Sequence, residues 1–177
     1  MHEALLTEMG LVGRGVRASA NLTQSAIKIE PAVIYRFRRL NVCRRFRGRA
    51  PGLIPASDAQ LSFNKLSVDN LSVDNLSATN LSVKGMLLWG LSHRHWRRLD
   101  AFEGIDRQHY YRRLVWVERA GQRQLAWVYL LHPRYFPRCY GQWQPEAFAK
   151  HLDYYRNCIV KKFIRHWRRR QPLKQRF

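Results

Sequence analysis

The sequence predicts an α+β fold. Three observations carry that expectation: β-branched and aromatic runs between residues 32 and 131 read as strands, an apolar period of three to four residues begins at Pro145, and 177 residues suit one domain. With 46% hydrophobic and 12% aromatic residues, the chain has the core material that disordered sequences lack.

The elements follow in order. From Ala32 to Val42, Val33, Tyr35 and Phe37 alternate before Leu40 and Val42 change phase, as in a strand with a bulge. A basic stretch, Arg44 to Arg49, leads to Pro51–Pro55, which reads as a turn and a short extended segment around Leu53 and Ile54. Five tandem pentads, LSFNK, LSVDN, LSVDN, LSATN and LSVKG, then occupy Leu61 to Gly85. They resemble the pentapeptide pattern of a square β-helix, but five pentads make little more than one coil, and a solenoid coil needs stacked neighbours to bury its face. Residues 61–85 therefore read as a low-complexity insertion in a loop.

Met86, Leu87, Leu88, Trp89 and Leu91 form the next strand, and Ser92 caps a short helix through Trp96 and Leu99 that Gly104 ends. Strands Tyr110 to Glu118 and Gln124 to Leu131 flank a hairpin turn at Ala120-Gly121-Gln122. The second strand is apolar on both faces, which predicts a central place in its sheet. From Pro145 an amphipathic helix is expected, with Phe148, Leu152, Tyr155, Ile159, Phe163 and Trp167 on one face and Pro172 as its stop. Trp96, Trp127 and Trp167 are expected in the core.

Charge narrows the partners. Lys and Arg number 32 against 12 Asp and Glu, a net charge of +20, and the sequence pI is near 11.0. Only seven of the 32 are Lys, so guanidinium groups dominate, and these suit carboxylate and phosphate contacts. No acid follows Asp153, which makes residues 156–176 a candidate for weak polyanion binding, against the plainer reading of a solvated basic face. Residues 145–177 thus form a basic C-terminal helix and tail. Cys43, Cys139 and Cys158 are odd in number and widely spaced, which fits neither a disulfide framework nor a zinc site. With no signal-peptide-like run and no 18 consecutive apolar residues, a cytoplasmic protein without a membrane span is expected.

The search for an acid or base is short. Asp100, Glu103 and Asp106 form one cluster at a helix end, between Phe102 and Tyr110, where a carboxyl can be desolvated and its pKa raised. His93 and His95, two apart on a helix, point in different directions and do not suit joint metal ligation. No phosphate loop or nucleophile elbow occurs, and no metal or cofactor is expected.

The run GMLLWGLSHRHWRRLDAFEG, followed by YYRRLVWV and LAWVYLL, resembles the signature half of the γ-glutamylcyclotransferase-like family. Leu99, Asp100, Glu103, Gly104, Tyr111 and Arg112 match its L-D-x-x-E-G and Y-R positions, and APGLIPA around Gly52 is similar to its Y-P-G-L-V-P segment. The resemblance covers about Ala32 to Leu131 outside the pentads. It implies a small mixed β-barrel within the α+β class. It further implies a cavity for a small-molecule γ-glutamyl substrate, and release of 5-oxoproline by internal aminolysis with Glu103 as catalytic proton shuttle. Tyr110, Tyr111 and Arg112 would lie near the substrate, while Gly52, Leu99, Asp100 and Gly104 would serve the motif structurally. The family also carries an N-terminal Y-G-T-L or Y-G-S-L strand whose backbone N–H groups hold the substrate. This sequence contains neither, and MHEALLTEMGLVGRG is similar to the helix that follows that strand. The alternative is therefore a non-catalytic relative, or a basic module that binds nucleic acid or an anionic surface.

Overall fold

A computed structural model of the chain describes residue 9 and residues 27–42, 51–57 and 81–170. Seven strands appear in that part: β1 (Lys28–Tyr35), β2 (Phe37–Val42), β3 (Pro51–Pro55), β4 (Ser82–Trp89), β5 (Tyr110–Arg119), β6 (Gln122–Leu131) and β7 (Cys139–Gln142). Helix α1 (His93–Glu103) connects β4 to β5, and a 3-10 segment, Pro133–Arg138, connects β6 to β7. After β7 come α2 (Pro145–Ala149), α3 (Leu152–Tyr154), a π turn (Tyr155–Val160) and α4 (Lys161–Arg170).

The fold is α+β, with two antiparallel sheets ordered β4-β1-β5-β6 and β3-β2-β7. The expected mixed barrel is not what the described strands build: every pairing is antiparallel, and the sheets do not close. The chain passes from one sheet to the other at Arg36, which has a positive φ of 64°. Its N–H donates to Leu81 O at 2.7 Å and its carbonyl accepts from Ala56 N–H at 2.9 Å, which offsets the strain of a left-handed residue. The phase change read from sequence is this bend together with a register shift between Leu40 and Asn41 opposite β7. Ahead of the bend, Ile34 is the buried residue, while Tyr35 faces solvent.

Three apolar clusters hold the layers. Ile34, Val115, Val117 and Ala126 fill one face of the large sheet, and Leu40, Val42, Ile54, Leu131, Tyr135 and Phe136 join the small sheet to the end of β6. A third cluster, around Met9, Leu99 and Val160, binds α1 and the C-terminal helices to the other face of the large sheet.

Several expectations are corrected. Strand β4 begins inside the last pentad: Ser82 to Gly85 pair with Ala32 to Tyr35 of β1, while residues 61–80 lie outside the described part. Strand β6 is an edge strand, and Leu125 and Trp127, which share the face of Tyr129, are each half exposed. The C-terminal helix is not one rod. It is interrupted after Ala149, and the π turn inserts extra arc, so Val160 is fully buried while Ile159 is 40% exposed. The regular period placed Ile159 inside, and the tail with Pro172 lies outside the described residues.

Candidate active site around Glu103

Local sequence fixes where α1 starts and stops. Ser92 accepts from the His95 N–H, and the His95 ring accepts from the Ser92 N–H, a reciprocal cap that satisfies two otherwise orphaned donors. His95 is therefore committed to the helix start. At the other end Gly104 adopts φ 67° and ψ 46°, and the N–H groups of Gly104 and Ile105 both donate to Asp100 O. A Cβ at 104 would meet the His109 ring at 2.7 Å, so both conformation and space require glycine there. Glu103 is the last helical residue, and Leu99, buried one turn earlier, anchors its end of α1 on the sheet.

Strands β5 and β6 supply the opposite wall. A two-residue turn at Ala120-Gly121, both with positive φ, sets their register, and Arg112 faces Tyr129 and Tyr110 faces Leu131. Even-numbered residues of β5 then share the α1 side with Tyr129. Tyr110 donates to Pro51 O at 3.0 Å, which ties the site to β3. Gly52 in that strand is buried, and a Cβ there would lie 2.8 Å from Leu131 Cδ2 and Val42 Cγ2. The glycine serves close approach between the sheets. Asp100 accepts from the Tyr129 hydroxyl at 2.7 Å and pairs with Arg112 Nε at 3.4 Å. The Arg112 guanidinium also lies over the Trp96 and Trp127 rings, at 5.2 and 5.7 Å.

Electrostatics single out Glu103. Desolvation by burial raises its carboxyl from 4.5 to about 7, although part of the residue stays accessible. Among the described residues nothing donates a hydrogen bond to this carboxyl. Its charge acts on three tyrosines: Tyr110, Tyr129 and Tyr155 are each raised, first by desolvation and further by Glu103. Tyr129 is also raised by its bond to Asp100. A carboxyl poised near neutrality among phenol hydroxyls can take a proton from an ammonium and return it to a leaving nitrogen.

The structure therefore gathers Glu103, Tyr110, Asp100 and Arg112 on one side of the sheet. Tyr111 falls on the opposite face of β5, with its ring against His132. Sequence reasoning missed Tyr129 and Tyr155. Tyr129 was legible, because the two-residue turn at Ala120-Gly121 puts it opposite Arg112; Tyr155 depends on the C-terminal helices. Among the described residues no three His, Cys, Asp or Glu side chains converge as a metal site, and no helix is long and apolar enough to cross a membrane.

A family model described as gamma-glutamyl cyclotransferase, AIG2-like, matches residues 14–145. No curated protein matches significantly. A search of solved structures matches the chain to solution structures of two Arabidopsis thaliana proteins. At5g39720.1 is 20% identical with a TM-score of 0.44, covering 82% of this chain and 78% of its own. At3g28950.1 is 18% identical with a TM-score of 0.45, covering 86% and 78%.

Proposed function

The chain belongs to the AIG2-like γ-glutamyl cyclotransferase family, and from that premise we propose that it releases 5-oxoproline from a γ-glutamyl amine or γ-glutamyl amino acid. The observation that carries this reading is the desolvated Glu103 carboxyl, raised to about 7 at the end of α1.

The reaction is an internal aminolysis. Glu103, as carboxylate, takes a proton from the substrate's α-ammonium, and the freed amine attacks the γ-carbonyl carbon. The new C–N bond closes the five-membered ring, Glu103 returns its proton to the departing nitrogen as the γ-amide C–N bond breaks, and the ring nitrogen gives up its second proton, which the released amine takes as it leaves as an ammonium. A carboxyl near 7 serves both halves, because neither protonation state is far from the working pH. Tyr110 lies against the substrate. Asp100 and Arg112 act one step back, locking α1 to β5 and β6 so that Glu103 keeps its place. The experiment is release of 5-oxoproline from a panel of γ-glutamyl amines and γ-glutamyl amino acids by the wild type and by Glu103→Gln. Turnover abolished in the variant supports the reading; turnover that persists in it removes Glu103 from the chemistry.

A second reading, polyanion binding, has an observation of its own. Lys162, Arg165, His166 and Arg169 line one groove along the C-terminal helix. Retention on an immobilised polyanion that falls steeply with salt supports it, and a flat profile rejects it.

A further inference from the structure

The Glu103 site draws on chain beyond the matched family region. That region ends at residue 145, and α3, the π turn and α4 follow it. Two contacts lay this run over the end of α1. Phe163 meets Phe102, the residue before Glu103, edge to face with ring centroids 5.1 Å apart. Tyr155 packs in one apolar cluster with Leu99, Phe102 and Tyr129, its ring 5.3 Å from that of Phe148.

The π turn makes both contacts possible at once. A regular helix advances about 100° per residue, so after Tyr155 and Leu152 its inward stripe would continue at Ile159. The wider turn from Tyr155 to Val160 puts Val160 inside instead, then Ile164, and so keeps Tyr155 and Phe163 both directed at α1. Such turns are an irregularity that a helix tolerates where a side chain must be aimed.

We propose that Tyr155 is a positioning residue for Glu103: the C-terminal helical run lays its ring across the carboxyl and excludes water from that side. The inference rests on the reading of Glu103 as proton shuttle and adds that the shuttle is tuned from outside the matched region. Among the described residues the other titratable groups facing Glu103 are Tyr110 from β5 and Tyr129 from β6, with Asp100 behind Tyr129 and Arg112 held at Asp100. None of these comes from the C-terminal run, so the Tyr155 contribution is separable by substitution.

The test is a titration of the Glu103 carboxyl by 13C NMR in full-length protein, its signal assigned by loss in Glu103→Gln. The wild type and Tyr155→Phe should titrate near 7, because the ring rather than the hydroxyl excludes water. Tyr155→Leu and Tyr155→Ala should titrate lower, toward the ordinary 4.5, with kcat for 5-oxoproline release down about tenfold and KM changed less. A Glu103 midpoint unmoved in Tyr155→Leu overturns the proposal. If Tyr155→Ala does not fold, the leucine variant, which keeps apolar volume, decides alone. The titration needs no turnover, so a wild type that releases no 5-oxoproline would reject the cyclotransferase reading while the NMR midpoints still decide the role of Tyr155.

Discussion

The Tyr129 hydroxyl donates to Asp100 Oδ1 across 2.7 Å, joining an edge strand to the helix that ends in Glu103. The same carboxylate holds Arg112 Nε at 3.4 Å, so one acid ties α1 to two strands. Both bonds are formed one helical turn before Glu103, which makes them fasteners of the site.

Tyr129→Phe should therefore lower stability by about 1.5–2 kcal/mol, the usual worth of a hydrogen bond to a charged group. Urea unfolding should show a lower midpoint with an unchanged slope, because the ring stays and only the hydroxyl goes. An unchanged midpoint would mean that Arg112 alone holds Asp100.

At Gly52 the constraint is steric. Ala at this position places a methyl carbon 2.8 Å from Leu131 Cδ2 and Val42 Cγ2, both fully buried, and should cost about 1–3 kcal/mol. Trimming the neighbour, as Gly52→Ala with Leu131→Val, should lose less stability than the sum of the two single changes. Strictly additive losses would show that the crowding is relieved elsewhere.

The pH dependence of stability has a definite sign at Glu103. Its carboxyl sits near 7 when folded and at the ordinary 4.5 when unfolded, so the folded state binds the proton more tightly. That contribution is fully present below 4.5 and is lost as pH rises to about 7. Relative to Glu103→Gln, the wild type should lose up to about 3 kcal/mol across that window. A pH-independent difference between the two would place the carboxyl in water.

Glu30 behaves oppositely. Hydrogen bonds from Lys28 and Arg119, with Trp89 adding a third, hold it down to about 2. Its stabilisation is present above the ordinary 4.5 and is lost as pH falls toward 2. Glu30→Gln should flatten the acid limb of a melting-temperature profile while leaving the limb between 4.5 and 7 unchanged. A preserved acid limb would assign acid unfolding to other carboxylates.

What the sequence made legible is what local chemistry decides. Ser92 and Gly104 bound α1 because a cap and a left-handed residue act within one turn, and Ala120-Gly121 set the β5–β6 register because a two-residue turn leaves one choice. Glu103 stood out because carboxylates are scarce in this chain and its neighbours are aromatic. The misreadings are non-local. Strand β6 is apolar on both faces, yet it lies at an edge, with Leu125 and Trp127 half exposed opposite Trp116 and Leu114. The last pentad reads as repeat by composition, but Ser82 to Gly85 pair with a strand about fifty residues earlier. The π turn has no signature in the 3.6-residue period, which is why Ile159 and not Val160 was expected inside. The expected N-terminal helix lies outside the described residues apart from Met9, which is buried beside Leu99.

The central claim is that Glu103 moves the proton in an internal aminolysis, and the most direct measurement is kcat/KM for 5-oxoproline release as a function of pH. The account predicts a limb with a midpoint near 7 in the wild type and no measurable turnover in a folded Glu103→Gln variant. Release by Glu103→Gln at the wild-type rate, with the same pH profile, would contradict it.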